Sequence, residues 1–179
     1  SSVFKNLTAS DIQSSIDNMA RMIDECDILV LSGGFSAGDE PDGSGKFIAN
    51  LLLNEKVTQA VNSLIERKGL ILGINNGFQA LIRSGLLPYS DLGNIGLDSP
   101  IIYKNDINRY CSRMVTTRVS STNSPWLSSF TIGETFVLPV SHGEGKLVIT
   151  EEMAKDLFDN GQVAFQYADD NGLPTMTSP

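Results

Sequence analysis

The stretch that decides the fold runs Gly69-Leu-Ile-Leu-Gly-Ile74 and continues directly into Asn75-Asn-Gly-Phe-Gln79. A short apolar run enters, glycine stands on both sides of the turn, and helical spacing leaves toward Ser84. Such a run, followed at once by a helix pattern, predicts a buried parallel strand feeding a helix from Asn76 to Ser84. Gly85 suits the C-terminal end of that helix, and Pro88 prevents its continuation. Two readings fit the turn itself. One is a nucleophile elbow, in which a side chain on a strained turn is exposed above the sheet. The other is a plain strand-to-helix turn whose glycines allow close packing.

The same unit repeats upstream. Asp27-Ile-Leu-Val-Leu-Ser32 is a second apolar run and ends in Gly33-Gly34, again the pattern of a buried parallel strand. Before it, Thr8 to Cys26 predicts a helix that Thr8 or Ser10 can cap, with Ile12, Ile16, Met19 and Ile23 at helical spacing. Between the two strands one helix is predicted from Lys46 to Arg67, with Ile48, Leu51, Leu52, Val57, Val61, Leu64 and Ile65 inward. Further on, residues 113–120, 134–141, 146–149 and 163–168 read as strands, with a helix near Glu151 to Asn160. Alternating strands and helices imply right-handed crossovers. The expected fold is α/β, a three-layer sandwich with a mostly parallel central sheet and helices on both faces. Ligands on such sheets bind beyond the carboxyl ends of the strands, where the loops after Ser32 and Ile74 lie.

The bulk composition narrows the function classes. A chain of 179 residues fits a single domain with a proper core. Its hydrophobic fraction of 41% and charged fraction of 19% are those of an ordinary globular protein. The net charge of −8 and the scattered basic residues argue against nucleic-acid binding, which needs clustered Lys and Arg. No apolar run reaches the length that spans a bilayer, so no membrane partner is expected and the cytoplasm is the default location. Cys26 and Cys111 stand in neither metal-type nor redox-type spacing; reduced thiols are expected. Nothing in the sequence has the spacing of a metal site. Cys26 falls near a helix end and Cys111 in an irregular stretch, each expected to be a small hydrophobe.

The loop after the first strand, Ser32-Gly-Gly-Phe-Ser-Ala-Gly-Asp39, extends through Glu40-Pro-Asp-Gly-Ser-Gly-Lys46. It carries neither a dinucleotide fingerprint nor a P-loop. Asp39, Glu40 and Asp42 would repel a phosphate, so backbone amides facing a neutral group or a developing oxyanion fit better.

Three strings now come together: Gly33-Gly-Phe-Ser-Ala-Gly-Asp39, Gly73-Ile-Asn-Asn-Gly-Phe-Gln79 and Ser141-His-Gly-Glu-Gly145. They resemble, in order, the signature strings of class I glutamine amidotransferases. The closest likeness is to the glutaminase domains of formylglycinamidine ribonucleotide (FGAM) synthases, and Leu86-Leu-Pro88 matches as well. The acidic extension from Asp39 to Lys46 is most similar to synthases that fuse this domain to one large chain.

The resemblance implies an activity. In that family a cysteine thiolate attacks the carboxamide of glutamine, forms a glutamyl thioester and releases ammonia. The ammonia passes to a synthase domain or subunit, where ATP, with Mg²⁺, drives conversion of formylglycinamide ribonucleotide to the amidine in purine biosynthesis. No cofactor is implied for the amidotransferase domain itself. By motif position, backbone N–H groups of Gly34 or Phe35 and of Asn76 would form the oxyanion hole. Gln79 resembles the glutamine lining the substrate pocket, and Ser141, His142 and Gly143 resemble the segment holding the amino-acid end of glutamine. His142 reads as a pocket or structural residue rather than the catalytic base, which the family carries in a later His-Pro-Glu string. Glu144 reads the same way, with a solvated loop carboxylate as the alternative.

Asn75 stands where the resemblance places the nucleophilic cysteine. A carboxamide has no ionisable nucleophile, so thioester chemistry is closed to it. Engineered inactivation, natural divergence and an error in the residue are three origins that fit. The resemblance also places the family's first strand before Ser1 and the His-Pro-Glu segment after Pro179, leaving residues 1–179 as one amidotransferase-like domain without them. Three functions therefore compete: a glutaminase domain of FGAM synthase, a non-catalytic glutamine-binding or structural module of the same origin, and a flavodoxin-like domain with another substrate. The last lacks a flavin phosphate loop.

Overall fold

A computed structural model describes residues 4–34 and 45–176. The chain divides into two compact units, Ser1–Ser99 and Pro100–Pro179, and each is described by itself.

The first unit opens with helix α1 (Ala9–Glu25), and the Thr8 hydroxyl caps it by accepting from the Asp11 backbone N–H. Strand β1 (Ile28–Leu31) follows, then helices α2 (Lys46–Leu52) and α3 (Glu55–Glu66), strand β2 (Leu70–Gly73), helix α4 (Asn76–Arg83) and the short α5 (Leu86–Tyr89). The single helix expected over Lys46–Arg67 is two. Asn54 breaks it: its backbone is extended and its side chain accepts from the Lys56 N–H, the geometry of an N-cap. The continuous apolar spacing across Leu51–Val57 concealed that break.

β1 and β2 pair in parallel, with Ile28 opposite Leu70 and Leu31 opposite Gly73. Ile16, Ile23, Leu52, Val57, Val61, Leu64, Ala80 and Leu81 form the core, and Leu29, Leu31 and Ile71 pack against it from the sheet. The opposite face of β1 leaves Ile28 and Val30 at 49% and 51% exposure. β1 is thus parallel as expected but buried on one side only, because among the described residues of this unit the packed helices lie over that side. Arg67 ties the end of α3 to α1 by donating from Nη2 to the carbonyls of Ile23 and Cys26, at 2.6 and 2.8 Å. On the Ile23 carbonyl the guanidinium joins the Cys26 N–H, at a helix end whose last carbonyls lack an intrahelical partner.

The second unit is built from antiparallel strands. β3 (Ile101–Lys104) pairs with β6 (Glu144–Val148), and the register shifts between Tyr103 and Lys104. β4 (Cys111–Val119) is central to a three-stranded sheet between β5 (Thr135–His142) and β7 (Phe165–Tyr167). Helix α6 (Glu151–Asp159) carries an N-cap at Thr150, whose hydroxyl accepts from the Met153 N–H. The expected strands and helix reappear with shifted ends. β3 was not expected: it is four residues long and only Ile102 is buried, too little pattern to read. Cys111, expected in an irregular stretch, begins β4 opposite His142, because the ladder with β5 runs two residues further back than the apolar alternation suggests. Both cysteines are free and half-buried.

Among the described residues no helix is long and apolar enough to cross a membrane, and no group of His, Cys, Asp and Glu is arranged to hold a metal ion.

Candidate functional site

The turn from β2 into α4 is where local sequence and backbone strain meet. Asn75 adopts φ 52° and ψ −114°. For a residue with a Cβ this lies outside the ordinary regions and costs on the order of 1–3 kcal/mol. Neighbouring elements hold the turn there. The Ile74 N–H donates to the Leu31 carbonyl (2.9 Å), the Gly77 N–H to the Ile74 carbonyl (2.9 Å), and the Gln79 N–H to the Asn75 carbonyl (3.1 Å).

Glycine at three positions is what lets the segments approach. A Cβ on Gly77 would overlap the Leu31 backbone. One on Gly73 would lie 2.8 Å from the Phe78 nitrogen and 2.6 Å from Leu81 Cδ1. One on Gly33 would lie 2.7 Å from Asn75 Cβ. Between the two readings of the turn, the positive φ favours the elbow, because close packing alone does not require it.

Asn75 is exposed and precedes the first residue of α4, yet its side chain makes no capping hydrogen bond. A capping asparagine has an extended backbone, which this turn denies it. Its carboxamide is therefore not used by the helix. Asn76 is buried, and its Nδ2 donates to the Gly34 carbonyl. The structure thereby brings together the residues after β1 and after β2 that the sequence singled out separately. Gln79 lies one turn into α4 and is also buried. The α4 N-terminus adds partial positive charge at position 75. Phe35 lies outside the described residues.

Ser141, His142 and Gly143 belong to the second unit, at the end of β5 and the turn into β6. His142 Nδ1 is 3.0 Å from Asn105 Oδ1, and Asn105 Nδ2 donates to the His142 carbonyl at 2.8 Å. The Asn105 N–H donates to the Gly143 carbonyl at 3.1 Å. Tyr110 and Ser141 share a hydrogen bond between hydroxyls at 2.8 Å. Burial pushes the His142 imidazole below its ordinary pKa, and a backbone hydrogen bond partly opposes the shift. Glu144 opens β6, in register with Lys104.

Residues 2–179 match the family model of the CobB/CobQ-like glutamine amidotransferase domain. The chain belongs to that amidotransferase family. Among its relatives is the phosphoribosylformylglycinamidine synthase subunit PurQ of Gloeobacter violaceus, 37% identical over 150 residues, which are 84% of this chain and 58% of the relative. The subunit of the same name from Koribacter versatilis is 32% identical over 155 residues, covering 86% of this chain and 59% of the relative. The solved structure of PurLQS from Thermotoga maritima superposes with a TM-score of 0.60 at 28% identity, covering 80% of this chain and 57% of that one. The fold class expected from sequence, α/β of the class I amidotransferase kind, agrees with this likeness. The chain spans less than two thirds of the length of these relatives.

Several residues of this amidotransferase chain that shape the candidate site were missed in the sequence. Asn105 and Tyr110 stand in no motif, and a polar residue in a loop carries no positional signal by itself. Gly145 was quoted only as part of a string. A Cβ there would overlap the His142 imidazole, so its glycine makes room for the ring.

Proposed function

We propose that residues 1–179 form a single amidotransferase-like domain of the FGAM synthase type, with Asn75 in the place of the nucleophile. The observation that carries this is the backbone of Asn75: a positive-φ elbow between β2 and α4, kept although its side chain cannot attack. In the active form of such a site, a thiolate at position 75 adds to the glutamine carboxamide and the oxyanion is met by backbone N–H groups. Gly34, Phe35 and Asn76 are assigned that role, and Gln79, Ser141, His142 and Gly143 the binding of glutamine. A thioester forms, ammonia leaves toward a synthase domain or subunit that uses ATP and Mg²⁺, and water releases glutamate. The carboxamide of Asn75 has its nitrogen lone pair delocalised and supports none of this. The chain as it stands is therefore a glutaminase domain that lacks its hydrolytic activity. A cytoplasmic setting goes with that chemistry.

The second reading, a non-catalytic glutamine-binding or structural module, is favoured by the same Asn75. A glutaminase assay of the chain beside Asn75→Cys separates the two. The unaltered chain is expected to release no ammonia. Hydrolysis that persists in Cys26→Ala and Cys111→Ala variants would overturn that expectation. Turnover gained by Asn75→Cys supports a pocket that lost only its nucleophile. Silence of a folded Asn75→Cys variant supports the non-catalytic module.

A further inference from the structure

The carboxamide of an asparagine can be attacked by the backbone nitrogen of the next residue, which closes a five-membered imide. The ring runs through Cα, the backbone carbonyl carbon, that nitrogen, Cγ and Cβ, so it closes only when the nitrogen eclipses Cβ about the Cα–C bond. The substituents of Cα lie about 120° apart around that bond, and for an L-residue the eclipse falls at ψ of about −120°. Ordinary backbone is far from it, with ψ about +135° in an antiparallel strand and about −42° in a helix. Asn75 has φ 52° and ψ −114°, the conformation of the first central residue of a type II′ turn. Its ψ lies within about 6° of the eclipse, so rotation about Cα–Cβ alone carries Cγ to the Asn76 nitrogen. Hydrogen bonds hold the torsion from both sides. The Ile74 carbonyl accepts from the Gly77 N–H (2.9 Å) and the Asn75 carbonyl accepts from the Gln79 N–H (3.1 Å), which fixes the peptide planes before and after position 75. The side chain is exposed and makes no capping hydrogen bond. Gly33 leaves it room, since a Cβ there would lie 2.7 Å from Asn75 Cβ and 3.2 Å from its Oδ1.

We propose that Asn75 is a site of self-modification: the elbow holds it ready to cyclise onto the Asn76 nitrogen, giving a succinimide and then aspartate and isoaspartate. Hydroxide takes the Asn76 amide proton, the nitrogen bonds to Cγ, the Cγ–Nδ2 bond breaks, and Nδ2 leaves as ammonia with a proton from water. Water then adds to the imide. Breaking the bond from nitrogen to Cγ leaves aspartate in a normal backbone; breaking the bond from nitrogen to the backbone carbonyl carbon leaves isoaspartate, with the chain running through Cβ. Holding two groups in a near-attack geometry is what accelerates intramolecular reactions. The positive end of α4 favours the amide anion and the oxyanion that develops on the carboxamide. The ammonia is one per chain and appears in buffer without glutamine, which sets it apart from glutamine hydrolysis.

Other asparagines supply the contrast. Asn76 and Asn160 each precede a glycine, the pairing that closes most readily in a flexible chain because glycine has no Cβ to obstruct the attack. In the folded chain Asn76 is the first residue of α4 and Asn160 has ψ −2°, so the nitrogen that follows each of them stands well away from the eclipse. The fold therefore slows the asparagines that sequence alone would favour and speeds the one that it would not.

The test is to incubate the chain at neutral pH, folded and in guanidinium chloride, and to follow the tryptic peptide Gly69–Arg83 by mass spectrometry. That peptide holds both Asn75 and Asn76, and fragmentation tells them apart. Asn75 is expected to react at least about tenfold faster in the folded chain than in denaturant, passing through the imide, while Asn76 reacts more slowly in the folded chain. An Asn75 rate in the folded chain equal to or below that in denaturant overturns the proposal. Equal acceleration of both asparagines on folding overturns it too, since the torsion at position 75 would then not be the cause. Aspartate at position 75 with neither imide nor isoaspartate is direct hydrolysis and overturns the ring. No glutamine enters the experiment, so its outcome is independent of the functional reading.

Discussion

The two units hold their candidate residues by different means. In the first, the elbow is shaped by backbone: glycines at 33, 73 and 77 bring β1, β2 and α4 into contact, and the core of α1, α3 and α4 stands behind them. In the second, Ser141, His142 and Gly143 are held by side chains from the chain between β3 and β4, chiefly Asn105 and Tyr110. A backbone-built turn keeps its geometry when one side chain changes chemistry, so the elbow does not depend on which side chain stands at position 75. A network of side-chain hydrogen bonds has no such insulation, since removing one partner leaves another unsatisfied.

The contrast can be broken by substitution. The largest effect is expected from Leu64→Ala, which opens a void in the fully buried core of the first unit; urea unfolding followed by circular dichroism should show a loss of about 2–5 kcal/mol. Gly77→Ala comes next. Its Cβ meets the Leu31 backbone, which cannot swing away, and a loss of about 1–3 kcal/mol is expected by the same measurement. Gly145→Ala is its counterpart in the second unit, but there the Cβ meets an imidazole. Side chains can move, so roughly 0.5 kcal/mol is expected, together with a changed His142 spectrum. Equal losses for the two glycine variants would remove the distinction between backbone-built and side-chain-built parts. Asn75→Gly should raise stability by about 1 kcal/mol, since glycine takes the strained conformation freely but costs more entropy to order.

The smallest effect concerns pH. Burial depresses the pKa of His142 in the folded chain, so the unfolded chain takes up a proton first as pH falls. The stability tied to this group is present above the unfolded histidine value, about 6.5, and declines as pH drops below it. An imidazole titration midpoint at or above 6.5 would contradict this.

The difference between the units also sets what the sequence could reveal. The elbow was legible because its determinants are contiguous: a short apolar run, glycines on both sides of a turn, then helical spacing. Thr8 was readable as a cap for the same local reason. The break at Asn54 was hidden because the apolar spacing runs through it. Asn105 was illegible, because its partners at 142 and 143 are distant in sequence and meet it only through the β3–β6 pairing. The half-exposed face of β1 was invisible too, since an apolar run reports hydrophobicity and not how many layers cover it.

Two distant points of the first unit meet the start of α4. The Gly34 carbonyl is held by Asn76, and at Gly45 a Cβ would lie 2.7 Å from the Asn76 carbonyl oxygen and the Ala80 nitrogen. One short helix thus sets the end of β1 and the start of α2 against the same turn, so a shift of that helix would be felt at both.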